Sequence, residues 1–144
     1  TVNEFTLAIM QGGVLQVYDP DTWRPYCHVL DFGRLILSVL DSDPGLVDRQ
    51  VFNAGGDENN ATKRMIVEAV IDVCGFGEVE FVGSGIDRRN YRVDFSKVRE
   101  VLDFRPEISI REGIAEIYDQ VLNVKPESFQ RNNKSGNFDL DGVI

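Results

Sequence analysis

Three arginines, Arg88, Arg89 and Arg92, fall within five positions of a chain in which 24 acidic residues outnumber 15 basic ones. A guanidinium is a planar fork of donors that matches phosphate or carboxylate two bonds at a time. The stretch Asp87-Arg88-Arg89-Asn90-Tyr91-Arg92 therefore suits either a small anionic ligand or pairing with neighbouring acids on a solvated face. A second cation stands among aromatics in Thr22-Trp23-Arg24-Pro25-Tyr26. Arg24 there could hold a phosphate in a partly dry cleft, or stack on Trp23 or Tyr26.

Catalytic sets are harder to assemble. His28 is the one histidine, so a zinc site or a nucleophilic triad has too few parts, and a structurally hydrogen-bonded imidazole is the simpler reading. The acidic pairs Asp19/Asp21, Asp41/Asp43 and Asp139/Asp141 do not continue into a calcium loop closed by Glu and read as turn and cap residues. Gly55-Gly56 and Gly83-Ser84-Gly85 lack the further glycines that let a backbone wrap a pyrophosphate. None of Tyr18, Tyr26, Tyr91 and Tyr118 has a lysine four positions later, which removes the acid/base pair of short-chain dehydrogenases. The sequence thus offers no catalytic residue, no metal ligands and no cofactor site of its own.

The whole chain bounds what those residues can serve. Its 144 residues, 42% hydrophobic and 27% charged, suit one globular domain. A net charge of −9 repels nucleic acid. No apolar run approaches the roughly 20 residues that span a bilayer, and no export signal opens the chain. Cys27 and Cys74 sit among apolar residues without metal-ligand spacing, which points to buried thiols in a reducing compartment. The expectation is a cytoplasmic protein with neither membrane nor nucleic acid as partner.

The elements that must carry these residues can be read from periodicity. Residues 3–11 form a helix ending at Gly12-Gly13, and Val14–Tyr18 a short strand closed by Asp19-Pro20-Asp21. With Asp31 as N-cap, a second helix presents Phe32, Leu35, Ile36, Val39 and Leu40 and stops at Asp43-Pro44-Gly45. Val51–Ala54 reads as a strand. Thr62 caps the clearest helix, which buries Ile66, Ala69, Val70, Val73 and Cys74 before Gly75. Glu78–Val82 alternates as a strand, and a short helix from about Asp94 to Asp103 buries Val98, Val101 and Leu102. A capping box, Ser109-Ile110-Arg111-Glu112, starts the last helix, with Ile110, Ile114, Ile117, Tyr118 and Val121 on one side. Residues 125–144 read as a polar tail.

In order along the chain, four separated stretches resemble the carboxyl-terminal part of the extended short-chain dehydrogenase/reductase family, the NAD-dependent epimerases and dehydratases of nucleotide sugars. Asn3-Glu4-Phe5 with Leu15-Gln16-Val17-Tyr18 is similar to the family's Asn-x-Phe helix and Leu-x-Val-Tyr strand. Arg24-Pro25-Tyr26-Cys27-His28-Val29-Leu30-Asp31 is similar to its Arg-Asp/Pro-Tyr-x-His-Val-x-Asp segment. Val51–Gly56 resembles its Phe-Asn-x-Gly strand, and Tyr91–Lys97 with Leu102–Pro106 its Asp-x-Ser-Lys and Leu-Gly-Phe-x-Pro stretch. Many members carry Arg-Pro-Gly-Asp where this chain has Ser84-Gly85-Ile86-Asp87, and Gly where it has Asp19. The second departure implies an altered turn. The first leaves Arg89, or Arg88, to supply the missing charge.

The resemblance implies an α/β fold: a small substrate-binding domain of mixed helices and short strands over residues 1–124, lacking its partner Rossmann domain, with the tail beyond it. It implies a nucleotide-diphosphate sugar held by Arg24 on the diphosphate, Asn3 near the phosphates or sugar, and Tyr18 against the base, with Arg89 or Arg88 assisting. NAD or NADP and the Tyr/Lys pair would belong to the absent amino-terminal half, since Thr1 stands where the second half begins. The Val51–Asn53 strand would extend that half's sheet, so the chain alone should expose a strand edge and an apolar face, and pair with the missing half or another copy of itself. Two other functions suit the same residues: a stand-alone, non-catalytic nucleotide-sugar binding or assembly subunit, and part of a reductase of another carbonyl compound.

Overall fold

Residues 1–83 and 89–123 are described by the computed structural model. In chain order they form α1 (Val2–Met10), β1 (Val14–Tyr18), β2 (Trp23–Pro25), α2 (Val29–Asp41), α3 (Pro44–Val47), β3 (Asn60–Thr62), α4 (Lys63–Cys74), β4 (Glu78–Val82), α5 (Ser96–Leu102) and α6 (Ile110–Asn123), with a 3₁₀ turn at Asp57–Asn59 before β3. Arg88, the Ser84–Asp87 stretch and the expected tail from residue 125 lie outside the described residues.

Periodicity placed the central helix correctly, and its ends show why. The Thr62 hydroxyl accepts the Met65 N–H at 3.2 Å, satisfying one orphan donor of the first turn. Gly75 closes α4 at φ 76°, a left-handed conformation that costs glycine little. α1 and α6 pack on α4 and on each other. Ile9, Ile66, Val70, Cys74 and Ile114 close the principal core there. Val67 is also fully buried, and Ala69 and Val73 pack at the core margin. Helices of 9 to 14 residues are marginal alone in water, so burial of these faces, at about 25 cal/mol per Å² of apolar surface, holds them.

The strands form two separate pairs. β1 and β4 run parallel, with Val14 opposite Glu78 and Tyr18 opposite Val82. β2 and β3 run antiparallel, with Trp23 opposite Thr62 and Pro25 opposite Asn60. The result is a mixed α/β fold, as expected. A second core gathers Leu35, Phe95, Val98 and Phe104. Gly55 fits it only as glycine, because its φ is 141° and a Cβ there would stand 2.8 Å from a Phe95 ring carbon.

Four expectations need correction. Asp31 is not the cap of α2: His28 takes that position, its Nδ1 accepting the Leu30 N–H at 3.3 Å, while the fully buried Asp31 carboxylate binds Arg34 and the main chain of residues 107 and 108. Val51–Ala54 pairs with no strand among the described residues. A strand needs a ladder partner, and here the stretch is held instead by Phe52 and Ala54 packing on the second core and by Lys97 to the Val51 carbonyl and Asn53 to the Asp94 carbonyl. Val101 is exposed rather than buried, because α5 is shorter than expected and turns only Val98 fully inward. Asp43-Pro44-Gly45 does not merely stop α2; Asp43 caps the one-turn α3, accepting the Gly45 N–H at 2.8 Å.

The expected apolar face does appear on α2, where Leu30, Phe32, Ile36, Leu37 and Leu40 are exposed, Leu40 by 72%, together with Val51 at 79%. Among the described residues no helix is long and apolar enough to cross a membrane.

Candidate functional site

Arg24 lies in the middle of β2, where alternation sends it to one side of the strand and Trp23 to the other. Its guanidinium stacks on the ring of Tyr91, 5.4 Å from the centroid, and donates to the Trp23 carbonyl at 2.9 Å. Across the strand Arg92 lies 4.5 Å over the Trp23 ring. The aromatic partners are thus exchanged between two segments, and Arg24 rests on Tyr91 rather than on Trp23 or Tyr26. Stacking occupies a guanidinium face and keeps its donors in the plane, the geometry in which it grips phosphate oxygens.

The main chain explains the exchange. Trp23 N–H donates to the Asn90 side-chain oxygen at 2.9 Å, and Tyr91 N–H to the Trp23 carbonyl at 3.3 Å. From β3, the Asn60 side chain pairs with both the N–H and the carbonyl of Val93. Residues 90–93 therefore lie along the β2–β3 ribbon and bring Tyr91 and Arg92 to the strand that carries Arg24.

Tyr18 ends β1, half exposed, its hydroxyl 3.2 Å from Gln16 Oε1. Asp19 follows at φ 49°, the left-handed region that glycine takes most readily. The N-terminus of α4 holds this turn: Lys63 Nζ donates to the Tyr18 carbonyl at 2.9 Å, Arg64 N–H to the Pro20 carbonyl at 2.9 Å, and Arg64 Nε to Asp21 at 2.9 Å. The Arg64 bond holds the Asp21 carboxyl below its ordinary pKa. Tyr18 and Arg24 thereby flank one short anchored turn.

Asn3 sits apart from that pair, on the first turn of α1, at a cavity of about 560 Å³ that Pro25, Tyr26, His28, Asn59 and Ser109 also line. The Tyr26 hydroxyl is shielded from solvent and has no well-formed hydrogen bond among the described residues. Burial pushes its pKa up, with Thr1 and the Arg24 charge opposing only in part. Arg24's field thus reaches the cavity wall. His28 Nε2 lies 2.9 Å from Glu116. Because Nδ1 accepts from Leu30, the neutral ring carries its proton on Nε2 and donates it to Glu116. The imidazole links the start of α2 to α6. Cys27 and Cys74 are both free thiols, Cys27 half-buried and Cys74 buried.

Gly12-Gly13 joins the end of α1 to β1, and Gly55-Gly56 packs on Phe95 and Asn59 before a single 3₁₀ turn. No three metal-ligating side chains come together among the described residues.

Reading the sequence missed Asn60, Asn90, Lys63 and Glu116. Asn90 stood inside the arginine-rich stretch and Lys63 directly after the Thr62 cap, but their partners lie 67 and 45 residues away, a distance that spacing rules do not reach.

No family model matches the sequence. In sequence the chain is similar to a dTDP-glucose 4,6-dehydratase of Actinoplanes, 31% identical over 117 residues that make up 78% of this chain and 35% of the relative. In fold it is similar to the UDP-glucose 4-epimerase of Thermotoga maritima solved with UDP-glucose, at a TM-score of 0.70 and 23% identity over 84% of this chain and 40% of that one. It is likewise similar to the dTDP-glucose 4,6-dehydratase of Bacillus anthracis solved with NAD, at 0.69 and 24% over 90% and 40%. The relative and the two solved structures are, by their names, nucleotide-sugar dehydratases and an epimerase, and the likeness extends over most of this chain. The chain spans only about a third to two fifths of their length.

Proposed function

We propose that this chain is the substrate-binding part of an NAD-dependent nucleotide-sugar epimerase or dehydratase, with its domain over residues 1–124 and a polar tail beyond. The observation that carries the reading is the stack of Arg24 on Tyr91, which unites the two arginine-bearing segments in a chain otherwise acidic. Arg24 takes the diphosphate, with Arg89 or Arg88 beside it. Tyr18 stacks against the base, a contact of about 1–3 kcal/mol where bases stack on aromatics in single-strand sites. Asn3 hydrogen-bonds the phosphates or sugar from the neighbouring cavity.

The hydride chemistry belongs to the rest of the parent enzyme, which supplies NAD or NADP and the proton-transferring groups. This chain binds and orients the sugar nucleotide. Among the similar structures, one was solved with UDP-glucose and another with NAD, the two kinds of ligand such a parent enzyme would hold. The exposed apolar side of α2 and the unpaired Val51–Ala54 stretch are the surface offered to that missing half.

Calorimetry with a panel of nucleotide-diphosphate sugars, on the chain joined to its partner half, tests the assignment. Arg24→Ala should weaken binding by about 10- to 100-fold, the weight of a charge-assisted bidentate contact. Arg111→Ala is the control: Arg111 is equally charged, mostly exposed and paired with Asp72 on α4. Equal losses from both variants, or no binding of any nucleotide sugar by the wild type, would sink the reading.

A further inference from the structure

We infer that His28 is a pH-sensitive cap: protonation of its ring releases the first turn of α2 while strengthening the link to α6 through Glu116. The device belongs to the cavity wall and is the same whatever ligand the cavity takes. Both ring nitrogens are committed when the ring is neutral. Nδ1 accepts the Leu30 N–H at 3.3 Å, and Nε2 stands 2.9 Å from the Glu116 carboxylate. The side chain is 19% exposed against 53% for Glu116. Its ring edge lies against Gly113 on α6, where an added Cβ would meet Cδ2 at 3.3 Å. Both helices therefore hold the ring in one orientation.

A proton added to this ring goes to Nδ1, the nitrogen without one. Nδ1 then changes from acceptor to donor and faces the Leu30 N–H, which is also a donor. Leu30 stands in the first turn, where amides have no partner inside the helix, so the cap is the bond that is lost. The new charge also sits at the positive end of the α2 dipole, which disfavours it. Glu116 acts in the opposite sense, because a carboxylate so close favours the imidazolium.

The other acids nearby have partners of their own. Asp31, on the same helix, is spent on Arg34 and the main chain of residues 107 and 108. Glu112 on α6 is bonded to Ser109, and Glu4, at the same cavity on α1, pairs with the Thr1 amino group. Tyr26 and Cys27, on the preceding segment, stay neutral around neutral pH because burial raises both. The α2 cap is therefore present while the ring is neutral and is lost as pH falls through its titration. Over the same range the pair with Glu116 gains a charge. Val29 and Phe32, in that first turn, line the cavity of about 560 Å³ together with Asn3 and belong to neither core. Acid thus loosens one wall of the cavity before it touches the interior.

The test follows amide exchange and imidazole ¹⁵N shifts in the ¹⁵N-labelled 144-residue chain from about pH 8 to about pH 5, the range in which histidine changes charge. His28 is the one histidine, so its ring signals are unambiguous. In the wild type the neutral ring should carry its proton on Nε2. Protection of the Leu30 amide, corrected for intrinsic exchange at each pH, should fall about five-fold as the ring protonates, the weight of one helix cap. Ile66 and Val70 in α4 should keep theirs.

His28→Asn supplies a cap that does not titrate, so Leu30 should stay protected throughout. Glu116→Gln should move the transition to lower pH by removing the charge that favours the imidazolium, and it decides the matter if His28→Asn fails to fold. Leu30 protection that stays constant while the ring protonates overturns the inference, as does a neutral ring protonated on Nδ1 or a ring still neutral at the acid end. A transition that persists in His28→Asn, or that Glu116→Gln leaves in place, overturns it equally.

Discussion

The Asp31 carboxylate accepts the main-chain N–H of Glu107 at 3.0 Å, across 76 residues. The same group accepts the Ile108 N–H at 3.1 Å and binds Arg34, which also pairs with Glu107. One buried carboxylate thus fixes the approach to α6 against the first turn of α2. Asp31→Ala removes all of this and leaves partly buried donors unpaired, so it should destabilise the fold by about 3–5 kcal/mol. Urea unfolding measures it, and a loss under about 1 kcal/mol would contradict the role.

Two glycine-to-alanine changes should have opposite signs. Gly55→Ala forces a Cβ against Phe95 at a φ of 141° and should cost about 2–4 kcal/mol. Gly33 lies within α2, where an added Cβ meets nothing within 4 Å. Gly33→Ala should instead stabilise by about 0.5–1 kcal/mol through helix propensity. Thermal melts of both variants under one condition provide the comparison.

Cys27 should be inert. Burial, helped by the nearby Asp31 charge, pushes its thiol up to about 11. At pH of about 8 only about one thiol in a thousand is then ionised, and the thiolate is the reactive form. Alkylation followed by mass spectrometry should find Cys27 modified far more slowly than a free peptide thiol, and peptide-like rates would contradict the assignment.

Acid should erode stability in a defined direction. Hydrogen bonds from Ser109 hold Glu112 below its ordinary pKa, those from Ser96 do the same for Asp94, and Arg64 does so for Asp21. Each contributes stability that is present above the unfolded-state value and is lost as pH falls through the depressed folded-state value. Unfolding midpoints should therefore decline from about pH 4.5 downward. Glu112→Gln, at the capping box of α6, should flatten part of that decline.

The exposed side of α2 should make the chain associate when it is alone. Leu37 and Leu40 are exposed by 61% and 72%, and contiguous apolar surface of this kind marks an interface. Sedimentation should show self-association or capture of the partner half, and Leu37→Glu with Leu40→Glu should reduce it. A well-behaved monomer at high concentration would count against the surface.

Legibility followed the range of the interactions. α1, α4 and α6 could be read because each repeats apolar residues every third or fourth position against one core, and β1 and β4 because they alternate. β2 and β3 could not, since three residues make no period and each exists only because the other is opposite. Asp31 looked like a cap because aspartate is common at helix starts; besides Arg34, its partners lie more than 70 residues on. Arg24 and Arg89 stood out in the sequence by residue type. The Asn60–Val93 pairing that lays residues 90–93 along the β2–β3 ribbon did not, because it joins a side chain to a distant backbone.

The parallel pairing of β1 with β4 sets a timetable for the chain. Gln16 and Glu80, side by side in that sheet, are separated by 64 residues. A ribosome adding roughly 5–20 residues per second needs on the order of 3–13 s to travel that far. Throughout that interval β1 waits with its pairing edge open, and its buried residue Val17 has no cover. Contacts of such long range also slow spontaneous refolding relative to helical bundles of equal size. For the period between the synthesis of β1 and that of β4, the edge of β1 is therefore open to pairing with another chain.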